Sequence, residues 1–129
     1  MPALTKSMPR TRAGNGLLFR DPVAAATTIY GGALVALDAS GNAIPAIPAA
    51  PVMRGVALYG ADNALGAAGD ETVSIERGPF LIANDGSLDR TDIGTSVYVV
   101  DDNTVGAAGT LVAGKCLDIV AEGVVVEIL

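Results

Sequence analysis

The sequence predicts an all-β protein: a small antiparallel β-sandwich or barrel with little helix, preceded by an extended N-terminal arm. Three observations lead there. From Thr27 onward the apolar residues come in short runs cut by Gly, Asp and Asn, the pattern of strands and turns. No stretch sustains a 3.6-residue apolar period between capping residues. Half of the residues are hydrophobic but only 4% are aromatic, so Val, Ile, Leu and Ala must fill the core by close packing of small side chains. At 129 residues the chain is long enough for one domain that buries roughly two-thirds of its unfolded surface.

In order, "TTIYGGALVALD" reads as strand sequence that ends at the turn cluster "ASGN". The three prolines of "IPAIPAAP" forbid a central strand and favour an extended connection into "VMRGVALYG". "ADNALGAAG" reads as a small-residue loop. "DETVSIERGPFLIANDG" gives two strands around Gly78 and Pro79; in the first, Val73 and Ile75 alternate with Thr72, Ser74 and Glu76, which predicts one dry and one wet face. "SLDRTDIG" fits one short helical turn, with Ser87 as its cap and Gly94 as its stop. "SVYVVDDNTV" is a strand entering a tight turn at Asp101, Asp102 and Asn103. "KCLDIVAEGVVVEIL" is a hairpin that turns at Ala121, Glu122 and Gly123. About eight strands with frequent turns make a sandwich or small barrel the economical architecture.

Charge is unevenly spread. The net charge is -6, yet Lys6, Arg10, Arg12 and Arg20 put +4 in the first twenty residues, which contain no acid. The remaining residues hold 4 basic against 14 acidic side chains, a net of -10. Residues 1–20 therefore read as a basic arm and 21–129 as an acidic β-rich body. Such a body repels phosphate, and the few aromatic residues are not interleaved with a basic patch, so nucleic acid is not the expected partner. No apolar run of signal-peptide length follows the first basic residues, and the uncharged stretch from Pro22 to Leu37 falls short of the ~20 apolar residues a span requires, so no membrane partner is expected either.

With no histidine in the chain, a Ser-His-Asp triad, a Cys-His pair and a His-ligated zinc site all lose their central group. The single cysteine, Cys116, lies in an alternating segment and reads as a small buried hydrophobe. No enzyme activity and no cofactor are expected. The acids offer one other chemistry: Asp85, Ser87 and Asp89, or Asp101, Asp102 and Asn103, in part meet the alternating oxygen spacing of a calcium loop, but no bidentate Glu follows. A calcium-dependent ligand-binding β-domain using Asp85, Asp89, Asp101 and Asp102 is therefore the rival reading, and solvated turn chemistry the favoured one.

The succession "GGALVALDASGNAIPA", "RGVALYGADNALGAAGDETVSIERGPFLI", "RTDIGTSVYVVDDNTV" and "AGKCLDIVAEGVVVEI" resembles the head decoration, or capsid cement, proteins of tailed bacteriophages across residues 22 to 129. It departs in the final strand, where Val124 and Val125 stand at a place where tryptophan is expected in several relatives. The resemblance implies a β-tulip-like, non-enzymatic virion protein, made in the host cytoplasm. It would sit on the outer capsid surface as a homotrimer at threefold and quasi-threefold positions, against the major capsid protein. On that reading Lys6, Arg10, Arg12 and Arg20 supply electrostatic contacts to the capsid, and Leu17, Leu18 and Phe19 supply apolar anchors. A tail or baseplate accessory module of such a virus is the structural alternative.

Overall fold

A computed structural model describes residues 18–128, and it is built almost entirely of β-strands. Along the chain these are β1 (Leu18–Pro22), β2 (Thr27–Ile29), β3 (Leu34–Leu37), β4 (Ala43–Pro45), β5 (Val52–Ala57), β6 (Ala61–Asn63), β7 (Thr72–Glu76), β8 (Gly78–Asn84), β9 (Ser96–Asp101), β10 (Thr104–Gly106), β11 (Val112–Val120) and β12 (Gly123–Ile128). Strands β1-β7-β5-β3-β4 form a five-stranded antiparallel sheet, and β10-β8-β12-β11-β9 close into a small barrel. A two-stranded ribbon, β2-β6, stands beside them. The barrel is antiparallel except where β10 runs parallel to β8, through Thr104 opposite Ala83 and Val105 opposite Asn84.

Side-chain alternation decides what each strand buries. In β7, Val73 and Ile75 are buried while Thr72, Ser74 and Glu76 are not, as the period of two requires. Strand β3 differs: its run Leu34, Val35, Ala36 is buried on both faces, which explains its unbroken apolar sequence. Leu34 and Ala36 join the barrel core with Val97, Val99, Cys116, Val124 and Val126, whereas Val35 joins a second core with Val23, Ile29, Val73 and Ile75. This one strand therefore couples the sheet to the barrel.

Four local expectations are refined. "ADNALGAAG" is not all loop, because Ala61–Asn63 pairs with β2. The buried Asn63 holds it there: its carboxamide donates to the carbonyls of Val23, Ala24 and Ala67 at 3.3, 3.0 and 2.9 Å. The helical turn is a 3-10 helix, Arg90–Asp92, capped by Asp89 and not by Ser87. Asp89 accepts from the Thr91 N–H while Asp92 accepts from the Asp89 N–H, a reciprocal capping box, and Ser87 is occupied instead with Asp85 and the Ala107 N–H. The two strands around Gly78 and Pro79 exist, but β7 lies in the sheet and β8 in the barrel, so the chain crosses between units there. Of the proline-rich stretch, Ala43–Pro45 forms a strand, and it occupies a sheet edge, where a missing N–H is tolerated.

Candidate functional site

Three of the residues assigned to the arm lie in the sheet. Leu18, Phe19 and Arg20 belong to β1, paired with Glu76, Ile75 and Ser74 of β7, so the boundary expected at residue 20 falls inside a strand. Phe19 is covered by two guanidinium groups: the Arg54 carbon stands 3.9 Å from the ring centroid and that of Arg77 5.6 Å. Arg54 also grips Asp21 with both prongs, Nε to Oδ2 at 2.7 Å and Nη2 to Oδ1 at 3.1 Å. Arg77 donates to the carbonyls of Arg54 and Met53. Phe19 thus serves this clasp, and Arg20 donates to the Ser74 hydroxyl at 3.3 Å. Leu18 is half exposed. Lys6, Arg10, Arg12 and Leu17 lie outside the described residues.

The acidic turns show why the chain is rich in aspartate. Asp85 accepts from the Ser87 hydroxyl and N–H, and Asp89 from the Thr91 hydroxyl and N–H. In both, the side-chain hydrogen bond first and the backbone one second hold the carboxyl below the ordinary aspartate value of 3.8. Asp38, Asp62, Asp70, Asp92 and Asp101 likewise accept from backbone N–H groups within or beside their own turns, and Asp118, at an irregularity inside β11, accepts from the Ile119 N–H. Among the described residues no three carboxylate or thiolate groups converge as a metal site. The calcium reading of Asp85, Asp89, Asp101 and Asp102 therefore finds no assembled ligand set.

Asp102 differs from all of these. Its carboxylate accepts no hydrogen bond from any described residue, because Asp101 alone caps the turn, through the Asn103 N–H at 2.8 Å. Asp102 and Asn103 form one wall of a cleft of about 320 Å³ whose other wall is Tyr30, Gly31, Gly32 and Ala33. The cleft is built from backbone. Ala33 N–H donates to the Tyr30 carbonyl, with Gly32 at φ +86° between them, a conformation that favours glycine. Leu34 N–H donates to the Asp102 carbonyl at 2.7 Å, which ties the two turns together. Behind Tyr30, a Cβ on Gly31 would stand 3.6 Å from the Tyr59 backbone, so the second exposed tyrosine, Tyr59, stems from the adjoining loop.

Compared with known protein families, curated proteins and solved structures, the chain matches none.

Chemically the cleft can bind but has little with which to catalyse. One carboxylate, one carboxamide and one phenol line it, with no nucleophile and no cation. Cys116 is remote from such a role: it is buried in β11, where desolvation, and then the Asp92 charge, push its thiol up in pKa. No described helix is long and apolar enough to cross a membrane. Sequence reasoning placed Asp101, Asp102 and Asn103 in one turn but could not separate the capping aspartate from the free one. It missed Tyr30, for which the available signal was an aromatic residue directly before Gly31-Gly32 in a chain poor in aromatics.

Proposed function

We propose that this chain is a structural decoration protein of a tailed-phage head, acting by adhesion to the outer capsid surface. The observation that carries the reading is the charge split: a basic N-terminal segment ahead of a body in which 14 acids outweigh the remaining basic residues. The family resemblance of the sequence supports it, as does a β-built body most of whose aspartates are occupied in turns. The segment before β1, with Lys6, Arg10, Arg12 and Leu17, meets the major capsid protein, together with the exposed Arg20 and half-exposed Leu18. A tether transmits load only when its root is fixed, and the Asp21–Arg54–Phe19 clasp fixes this root in the sheet.

The mechanism is linkage. A protein that binds the mature lattice better than its precursor stabilises that lattice by the difference in affinity. As a homotrimer touching several shell subunits it gains avidity, so weak single contacts suffice. Leu81 on β8 and Val112, Leu117 and Val120 on β11 supply exposed apolar area of the kind that self-association covers.

The test is co-sedimentation with purified heads of the phage that encodes the chain, comparing the full chain with a deletion of residues 2–16. Strong loss of head occupancy is expected with an unchanged circular dichroism spectrum; unchanged occupancy refutes the role of the segment. Immunogold label on tails instead of heads assigns the chain to the tail or baseplate alternative.

A further inference from the structure

We propose that the Tyr30–Asp102–Asn103 cleft is a receptor for an arginine side chain, and that in the free protein its occupant is the basic segment 1–17 of this same chain, from its own or a neighbouring copy. The molecule already holds a filled site of the same chemistry. At the root of β1 an aromatic ring and an aspartate, Phe19 and Asp21, hold the Arg54 guanidinium: the ring takes its face at 3.9 Å and the carboxylate takes two of its donors at 2.7 and 3.1 Å. The cleft presents the same pair without the cation. Tyr30 is largely exposed, Asp102 is the one aspartate whose carboxylate no described residue engages, and the Asn103 carboxamide adds an unused acceptor beside it.

Other ligand classes fit less well. Nothing cationic lines the cleft, so an anion finds no counter-charge, and a single carboxylate does not make a site for a bare metal ion. A guanidinium meets a ring, a charge and an acceptor at once. The occupant follows from charge and supply. Residues 1–17 carry Lys6, Arg10 and Arg12 without an acid, while the rest of the chain holds 5 basic against 14 acidic side chains. Arginine is favoured over Lys6 because its planar group can stack and chelate together. Nothing here requires a capsid, so the inference stands or falls apart from the decoration role.

The experiment uses the full chain with Ser7→Cys carrying a nitroxide; Cys116 is buried and escapes the label. In nitrogen-15 spectra the amides of Gly31, Asp102 and Asn103 are expected to lose intensity selectively. The loss is reversed by Arg10→Gln with Arg12→Gln, and by Asp102→Asn, which removes no hydrogen bond of the fold. Mixing nitrogen-15 protein with nitroxide-bearing unlabelled protein separates the two sources: loss in the mixture means a neighbouring copy, and loss only within one chain means its own segment. Titration of argininamide into the Arg10→Gln, Arg12→Gln variant is expected to shift the same amides saturably, and Asp102→Asn to weaken that binding about tenfold. Full intensity at those amides, equal loss in the charge-neutralised variants, or shifts with glucose and none with argininamide, overturns the proposal.

Discussion

Asp21→Ala is the sharpest probe of how β1 is held. The substitution removes two charge-assisted hydrogen bonds at 2.7 and 3.1 Å and strands the Arg54 guanidinium against Phe19. Asp21 and Arg54 side chains retain 13% and 22% of their exposure, so the pair is neither a solvated surface contact, worth below about 1 kcal/mol, nor a fully buried one, whose rupture costs about 3–5 kcal/mol. Between these limits the expected loss is about 2–3 kcal/mol. For a domain of this size each kcal/mol moves the melting temperature by roughly 3–4 °C, so a fall of about 6–12 °C is expected in a thermal melt followed by circular dichroism. Asp21→Asn keeps the shape and one acceptor, and its fall should be about half as large. Hydrogen exchange adds the location: amides of Phe19 and Asp21 should lose protection before those of β3 or β12. A double-mutant cycle between Phe19→Ala and Arg54→Ala should return a coupling of about 0.5–1 kcal/mol for the stacked pair. A melting shift under about 2 °C, with no change in exchange at β1, would refute the clasp as the anchor of this strand.

Barrel closure is tested by Gly114→Ala, where a Cβ would collide with the Glu127 carbonyl across the β11–β12 ladder; a loss above about 2 kcal/mol by urea denaturation is expected, and a neutral result contradicts the packing. Cys116 should resist a thiol-specific reagent in the folded protein and react at once in denaturant, since burial removes access and pushes the thiol up in pKa; stoichiometric labelling under native conditions would place it elsewhere. For pH, the folded-state values of Asp85 and Asp89 lie below the ordinary 3.8, so their contribution is present above that value and fades as pH falls through the depressed folded values. Asp85→Asn should lower the neutral plateau of a pH–stability curve by a constant amount and flatten its acid limb below about pH 4, so that variant and parent converge in acid; a difference that persists undiminished below that pH would reject the assignment.

The fold was legible where one period governs one strand. "DETVSIE" and "KCLDIVAEGVVVEIL" show their alternation or their turn in sequence, and β7, β11 and β12 follow them. Three kinds of element were hidden. Strand β6 is only three residues long, too short for a period, and depends on Asn63 reaching carbonyls some forty residues away. The crossing at Arg77 and Gly78 looks like any other strand boundary, because nothing local distinguishes a hairpin from a passage between sheet and barrel. The first three residues of β1 were absorbed into the arm because the charge of Arg20 was counted with the arm. Arg20 does face solvent, yet Asp21 and Phe19, which flank it in sequence, are clasped by Arg54, and that partner is identified only once β7 pairs with both β1 and β5 and sets them two strands apart in one sheet. The cleft was hidden for a similar reason: Tyr30 and Asp102 are distant in sequence and are brought together by a single ladder-like bond, Leu34 N–H to the Asp102 carbonyl.

The acidity of the body has two origins that sequence composition alone merges. Most aspartates are present because tight turns need an acceptor for a backbone N–H two or three residues on, and short strands demand many turns. Their charge accompanies that geometry, and mutating any one should cost a turn before it alters recognition. Asp102 breaks the rule, since Asp101 has already satisfied its turn. A neutral Asn at 102 is expected to serve the fold equally well. Removing Asp102 should therefore leave stability within about 0.5 kcal/mol while removing Asp101 should not, and the difference between these two neighbours in a urea titration measures how much of the acidity serves folding.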